Sequence, residues 1–124
     1  MRPKSPTLTA YELEMMRIVW TTDAGVTVRD VYEELRKRRP IAYTSVMTSM
    51  KTLEQKGYLK TSQQDRAHLY RPAKPKQQVI RSMVREFVDR VFNGSAEPLL
   101  VHLVEEHELS REDLEEIAKM RRKA

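Results

Sequence analysis

Apolar side chains recur along this chain at two spacings, and the points where the spacing changes mark out its elements. After Thr9, Leu13, Met16 and Trp20, with Val19 beside them, fall at helical intervals and predict a first helix ending near Thr22. The pair Thr9-x-x-Glu12 sets its start, because a threonine hydroxyl accepts from a free N–H of the first turn while the acid bonds back to the threonine. Asp23-Ala24-Gly25 breaks it. The same signature, Thr27-x-x-Asp30, opens a second helix with Val28, Val31, Tyr32 and Leu35 inward and Arg29, Asp30, Glu33, Glu34 and Arg36 outward. Its end is expected at Arg39-Pro40, since proline disfavours helical geometry in the residue before it. A third helix is predicted from Tyr43 to Lys56, with Val46, Met50 and Leu53 inward and Gly57 as its terminator.

From Tyr58 the pattern shortens to that of strands. Tyr58–Ser62 and Ala67–Arg71 flank the polar turn Gln63-Gln64-Asp65-Arg66, which predicts a two-stranded hairpin. After Pro72 and Pro75, helical spacing resumes through Val79, Ile80, Met83, Val84, Phe87, Val88, Val91 and Phe92 up to Asn93-Gly94. Two shorter helices follow, about Ala96 to Glu106 and, after a third capping pair Ser110-x-x-Asp113, Ser110 to about Arg121. The expected class is mostly α with a small β-hairpin.

Three helices followed by a hairpin form a winged helix-turn-helix, in which the third helix enters the major groove of double-stranded DNA and the hairpin grips backbone beside it. The outward face of that helix carries Thr44, Ser45, Met47, Thr48, Lys51, Thr52 and Gln55 and no acid among them. Hydroxyls bond to base edges and phosphates, and threonine or methionine also packs on a thymine methyl. The plainer reading is a solvated polar face. Arg66 at the hairpin tip, with His68 and Lys60 on its strands, puts positive charge where a wing meets phosphate.

Charge sharpens this division. Of the net +5, residues 1 to 74 hold 14 Lys/Arg against 8 Asp/Glu, a net of +6, and residues 75 to 124 hold 9 against 10, a net of −1. The basic excess therefore sits with the reading elements, as a phosphate-rich partner requires. No apolar run is long enough for a membrane span, and Met1-Arg2-Pro3-Lys4-Ser5-Pro6 is basic without an apolar segment after it, so a short arm and a cytoplasmic location are expected. With no cysteine in the chain, disulfides, thiolate metal sites and thiol catalysis are excluded. The acids from Glu105 to Glu116 read as a solvated helix face rather than a catalytic pair. His102 and His107, five apart, miss the spacing that places two ligands on one helical face. No enzyme activity, metal or cofactor is expected.

Several runs resemble the BlaI/MecI/CopY penicillinase-repressor family: Leu8–Met16, Val26–Val31, Ala42-Tyr43-Thr44-Ser45-Val46-Met47-Thr48, Leu53–Leu59, the wing Arg66–Tyr70, and Leu109–Leu114. The resemblance spans nearly the whole chain. It implies a transcriptional repressor whose homodimer binds an inverted-repeat operator, with Thr44, Ser45 and Thr48 at base-reading positions and Lys51, Arg66 and His68 near the backbone. It also implies relief by a membrane-bound sensor peptidase that cuts the C-terminal part. There the chain departs from the beta-lactam repressors, with His102-Leu103 where those have an Asn-Phe bond. The absence of cysteine excludes the thiolate copper sensing of the third branch.

Residues 75 to 124 form three helices, too few to bury a good core alone yet rich in Val, Leu, Ile, Met and Phe. A second copy of the chain is the expected cover, with Val84, Phe87, Val88, Val91, Leu99, Leu100, Leu103, Leu114 and Ile117 as the pairing residues. The organisation read from the sequence is thus a DNA-binding domain at 1–74 and a helical dimerisation domain at 75–124. Two alternatives stand beside it. One is a monomer with an appended helical bundle, and the other a winged-helix module that binds a protein without specific DNA binding.

Overall fold

The computed structural model describes residues 7–123, and the basic arm Met1 to Pro6 lies outside them. The elements run α1 (Ala10–Val19), α2 (Val28–Leu35), α3 (Tyr43–Gln55), β1 (Leu59–Gln64), β2 (Ala67–Pro72), α4 (Lys76–Phe92), α5 (Glu97–His107) and α6 (Arg111–Lys123). All three predicted capping pairs form. Glu12, Asp30 and Asp113 receive the N-cap N–H while Thr9, Thr27 and Ser110 accept from the third residue of their helices. At the end of α3, Gly57 takes φ +90°. There Tyr58 N–H bonds to Leu53 O and Gly57 N–H to Glu54 O, the paired closure of a Schellman motif.

Three details differ from the expectation. α2 ends at Leu35 and continues as turns, with the N–H groups of Arg38 and Arg39 both directed to Leu35 O. Both guanidiniums bond the Glu14 carboxylate on α1, at 3.1 and 2.7 Å. The hairpin is longer and its turn tighter than predicted. Gln64 pairs with Ala67, leaving only Asp65 and Arg66, at φ 51° and 70°, in a type I′ turn whose twist matches that of the strands. Finally, Val26 adds a short third rung through reciprocal bonds with Tyr70 of 2.9 and 2.7 Å.

Packing divides the chain into Met1–Met83 and Val84–Ala124, a boundary inside α4. In the first unit Met15, Met16, Val31, Leu35, Val46, Met50 and Leu53 are fully buried, joined by Tyr58, Leu59, Tyr70 and Val79. Because Val79 belongs to this cluster and Met83 packs against it, the early turns of α4 go with the hairpin they follow. An ion pair closes the same unit. Lys56, after α3, meets Glu12, at the start of α1, at 2.8 Å with side chains only 12% and 8% exposed. In the second unit Phe92 stacks edge-on against Phe87 and lies 6.1 Å from the His102 ring.

Candidate nucleic-acid interface

α3 is held from behind, which leaves its front free. Val46, Met50 and Leu53 are buried, whereas Thr44, Ser45, Thr48 and Lys51 are exposed. Each exposed residue lies three or four positions from another, so together they make one strip along the helix. Beside that strip an open groove of about 800 Å³ separates α3 from the hairpin. Met47, Lys51 and Glu54 line it from α3; Thr61, Ser62, Gln63, Ala67 and His68 line it from the strands; Thr27, Val28 and Arg29 line it as well. Of the predicted contacts, Met47, Lys51 and His68 thus meet at one groove. Thr44, Ser45 and Thr48 occupy the neighbouring strip, Arg66 is exposed at the tip, and Lys60 is exposed near the hairpin base, paired across the ladder with Arg71.

Sequence reasoning missed Glu54. It follows Met47 and Lys51 at helical spacing, so an acid faces the groove after all. Burial, then the Glu54 charge, raises the Tyr70 phenol above the usual tyrosine range. Arg71 was missed too. Its guanidinium bonds Ser62 Oγ and Ala24 O, both at 3.1 Å, and thereby ties the hairpin to the loop before α2. Gly25, beside this contact, takes φ +90°, a conformation that L side chains rarely adopt. The only local signal was the glycine itself.

The basic run Arg36-Lys37-Arg38-Arg39 is paired with acids along its length. Arg36 meets Glu33 at 3.3 Å, Lys37 meets Glu34 at 3.0 Å, and Arg38 and Arg39 share Glu14 at 3.1 and 2.7 Å. The Arg39 guanidinium, with Arg38 behind it, holds the Glu14 carboxyl below the usual carboxylate range. Lys51, Lys60 and Arg66 carry no ion pair among the described residues, so their charge remains available to phosphate. Among those residues no group of three or more His, Asp or Glu gathers at metal-binding distance.

Arg66 also holds a backbone conformation that L side chains adopt at a cost. Arg66→Gly is expected to stabilise the first unit by about 1 kcal/mol in thermal melting while weakening binding to any duplex. A gain in both would remove Arg66 from the interface.

In the second unit, Val84, Phe87, Val91, Leu100, Leu103 and Ile117 are 39 to 51% exposed, while Leu99 and Leu114 are half-buried. Val88 departs from its predicted role. At 9% exposure it is covered by its own chain and has little surface to offer a partner. Val101 and Met120, which were not singled out, are exposed at 53% and 65%. Among the described residues no helix is long and apolar enough to cross a membrane.

The penicillinase repressor family model matches residues 8–123. The transcriptional regulator BlaI of Mycobacterium tuberculosis (strain ATCC 25618 / H37Rv) is 36% identical over 95 residues, which are 76% of this chain and 69% of that one. The penicillinase repressor of Bacillus licheniformis is 25% identical over 114 residues, 92% of this chain and 88% of its own. A solution structure of Bacillus licheniformis BlaI, in its monomeric form and in complex with the blaP half-operator, is similar at a TM-score of 0.51. It is 26% identical and covers 60% of this chain and 89% of that one. With its capped helices, hydroxyl-rich third helix and hairpin, and a match from Leu8 almost to its last residue, the chain belongs to the penicillinase repressor family.

Proposed function

We propose that the protein is a cytoplasmic transcriptional repressor, two copies of which read an inverted-repeat operator with α3 and steady it with the hairpin. The observation that carries this reading is the exposed strip Thr44, Ser45, Thr48 and Lys51, set beside a groove that Lys51 and His68 line from opposite sides. Support comes from the half-operator bound by the similar Bacillus licheniformis BlaI. Hydroxyls on the strip address base edges, and the cations address phosphate. One module makes few contacts, so two linked copies are needed for operator-level affinity. The apolar surface of the second unit supplies the means to link them.

Thr44→Ala or Thr48→Ala is expected to relax the choice of sequence, each costing about 1 kcal/mol of discrimination at a contacted base pair. Lys51→Ala is expected to weaken all duplexes alike and to lower the salt slope by about 1. Titration of operator and random duplexes at two salt concentrations separates these outcomes. The operator comes from sequencing genomic fragments retained by the purified protein. Failure to enrich any palindrome would sink the repressor reading and favour a protein-binding module.

Relief by a membrane-bound sensor peptidase belongs to the same proposal and faces a structural demand. His102 and Leu103 both lie inside α5, so a peptidase reaches their bond only when that helix opens locally.

A further inference from the structure

Beside the groove, three side chains of α2, Arg36 just after it and Tyr43 of α3 close into a ring. Glu33 accepts from Arg29 Nη1 and Arg36 Nη1, each at 3.3 Å. The Arg29 guanidinium lies 5.3 Å from the centre of the Tyr43 ring, and that of Arg36 lies 5.5 Å from the centre of Tyr32. Tyr32 and Tyr43 meet edge to face at 5.4 Å. Tyr43 opens α3, and Arg29 and Tyr43 both line the groove that Lys51 and His68 also line.

This arrangement orders Arg29 without using it up. A guanidinium stacked on an aromatic face keeps its donors at the plane's edge, where they fit an anion's oxygens. Glu33 takes one of those donors through a long bond, and at 66% and 44% side-chain exposure the pair is weak. A phosphate diester held by two short charge-assisted bonds is the stronger partner. The position also suits one. Arg29 lines the same groove as Lys51, so a backbone seated there would meet both cations.

We propose that Arg29 is a phosphate contact at this groove, that Tyr43 is its platform, and that Glu33 competes with DNA for it. The proposal rests on the DNA-binding reading above. Glu33 then acts as a brake on sequence-independent affinity, because every duplex must displace it.

The test uses the full chain and a random-sequence duplex at two salt concentrations. The variants are Arg29→Ala, Glu33→Gln and the double Arg29→Ala/Glu33→Gln, with an operator duplex run in parallel. Arg29→Ala is expected to weaken both duplexes about tenfold and to reduce the salt slope by about 0.9. Glu33→Gln is expected to tighten both several-fold, and the double variant is expected to lose that gain, which ties the brake to Arg29. An unchanged slope in Arg29→Ala, or a loss confined to the operator, overturns the assignment. Glu33→Gln binding no tighter than wild type, or a gain that survives in the double variant, overturns the competition. These two readouts hold even where Arg29→Ala melts early. Wild-type protein that binds no duplex overturns the DNA-binding reading itself, an outcome distinct from any confined to Arg29.

Discussion

Replacing Lys56 by methionine is expected to lower the stability of the first unit by about 3 kcal/mol at neutral pH. The reason lies in what it leaves behind. Glu12 is 6% exposed, and without Lys56 its carboxylate retains the Thr9 N–H but loses its cation. Urea unfolding followed by the fluorescence of Trp20, the single tryptophan, which packs against this core, should show the midpoint falling by about 2 M. Acid sharpens the test. In the native protein burial pushes the Glu12 carboxyl up, but the bond from Lys56 and those from Thr9 outweigh it and hold the carboxyl below 4.5. Its contribution is therefore complete above pH 4.5 and is lost as pH falls through the lowered native value. In Lys56→Met burial prevails, the carboxyl moves up, and its penalty is relieved on acidification. The gap between the two proteins should close from neutral pH toward pH 4. A gap that is small at pH 7, or independent of pH, would refute the account.

Charge placed on the apolar surface of the second unit should act on DNA binding and not on folding. Phe87→Glu combined with Ile117→Glu introduces two carboxylates where the native side chains are 39% and 48% exposed, so each unit should keep its helical content. Between two copies, however, both acids would be buried without partners. The variant is expected to sediment as a monomer of 14.6 kDa at concentrations where the native protein is a dimer. Its operator affinity is expected to drop about a hundredfold while binding to a half-site duplex is retained. A variant that stays dimeric would move the interface elsewhere. Native protein that sediments as a monomer would remove the dimer altogether.

The sequence disclosed the elements that rest on neighbours close along the chain. Thr9 with Glu12, Thr27 with Asp30 and Ser110 with Asp113 are three residues apart, and one helical turn decides them. Gly57 and the inward stripe of α3 were legible for the same reason. What escaped depends on distant partners. Lys56 finds Glu12 across 44 positions, Arg39 finds Glu14 across 25, and Arg71 reaches Ala24 across 47. Nothing in periodicity announces such pairings. Glu54 escaped because the edge of an outward face is set by the element packed against it, here the hairpin.

The way α3 is anchored bears on how such proteins diversify. Its grip on the molecule comes from Val46, Met50 and Leu53 behind it, from the Schellman closure at Gly57, and from the Lys56–Glu12 ion pair just past its C-terminal end. Thr44, Ser45, Thr48 and Lys51 take no part in that grip, and exposed substitutions of this kind shift stability by only about 0.5 kcal/mol. Duplicated copies could therefore drift to separate operators by a few changes on one helical strip, each step still folding, with no compensating change required in the core.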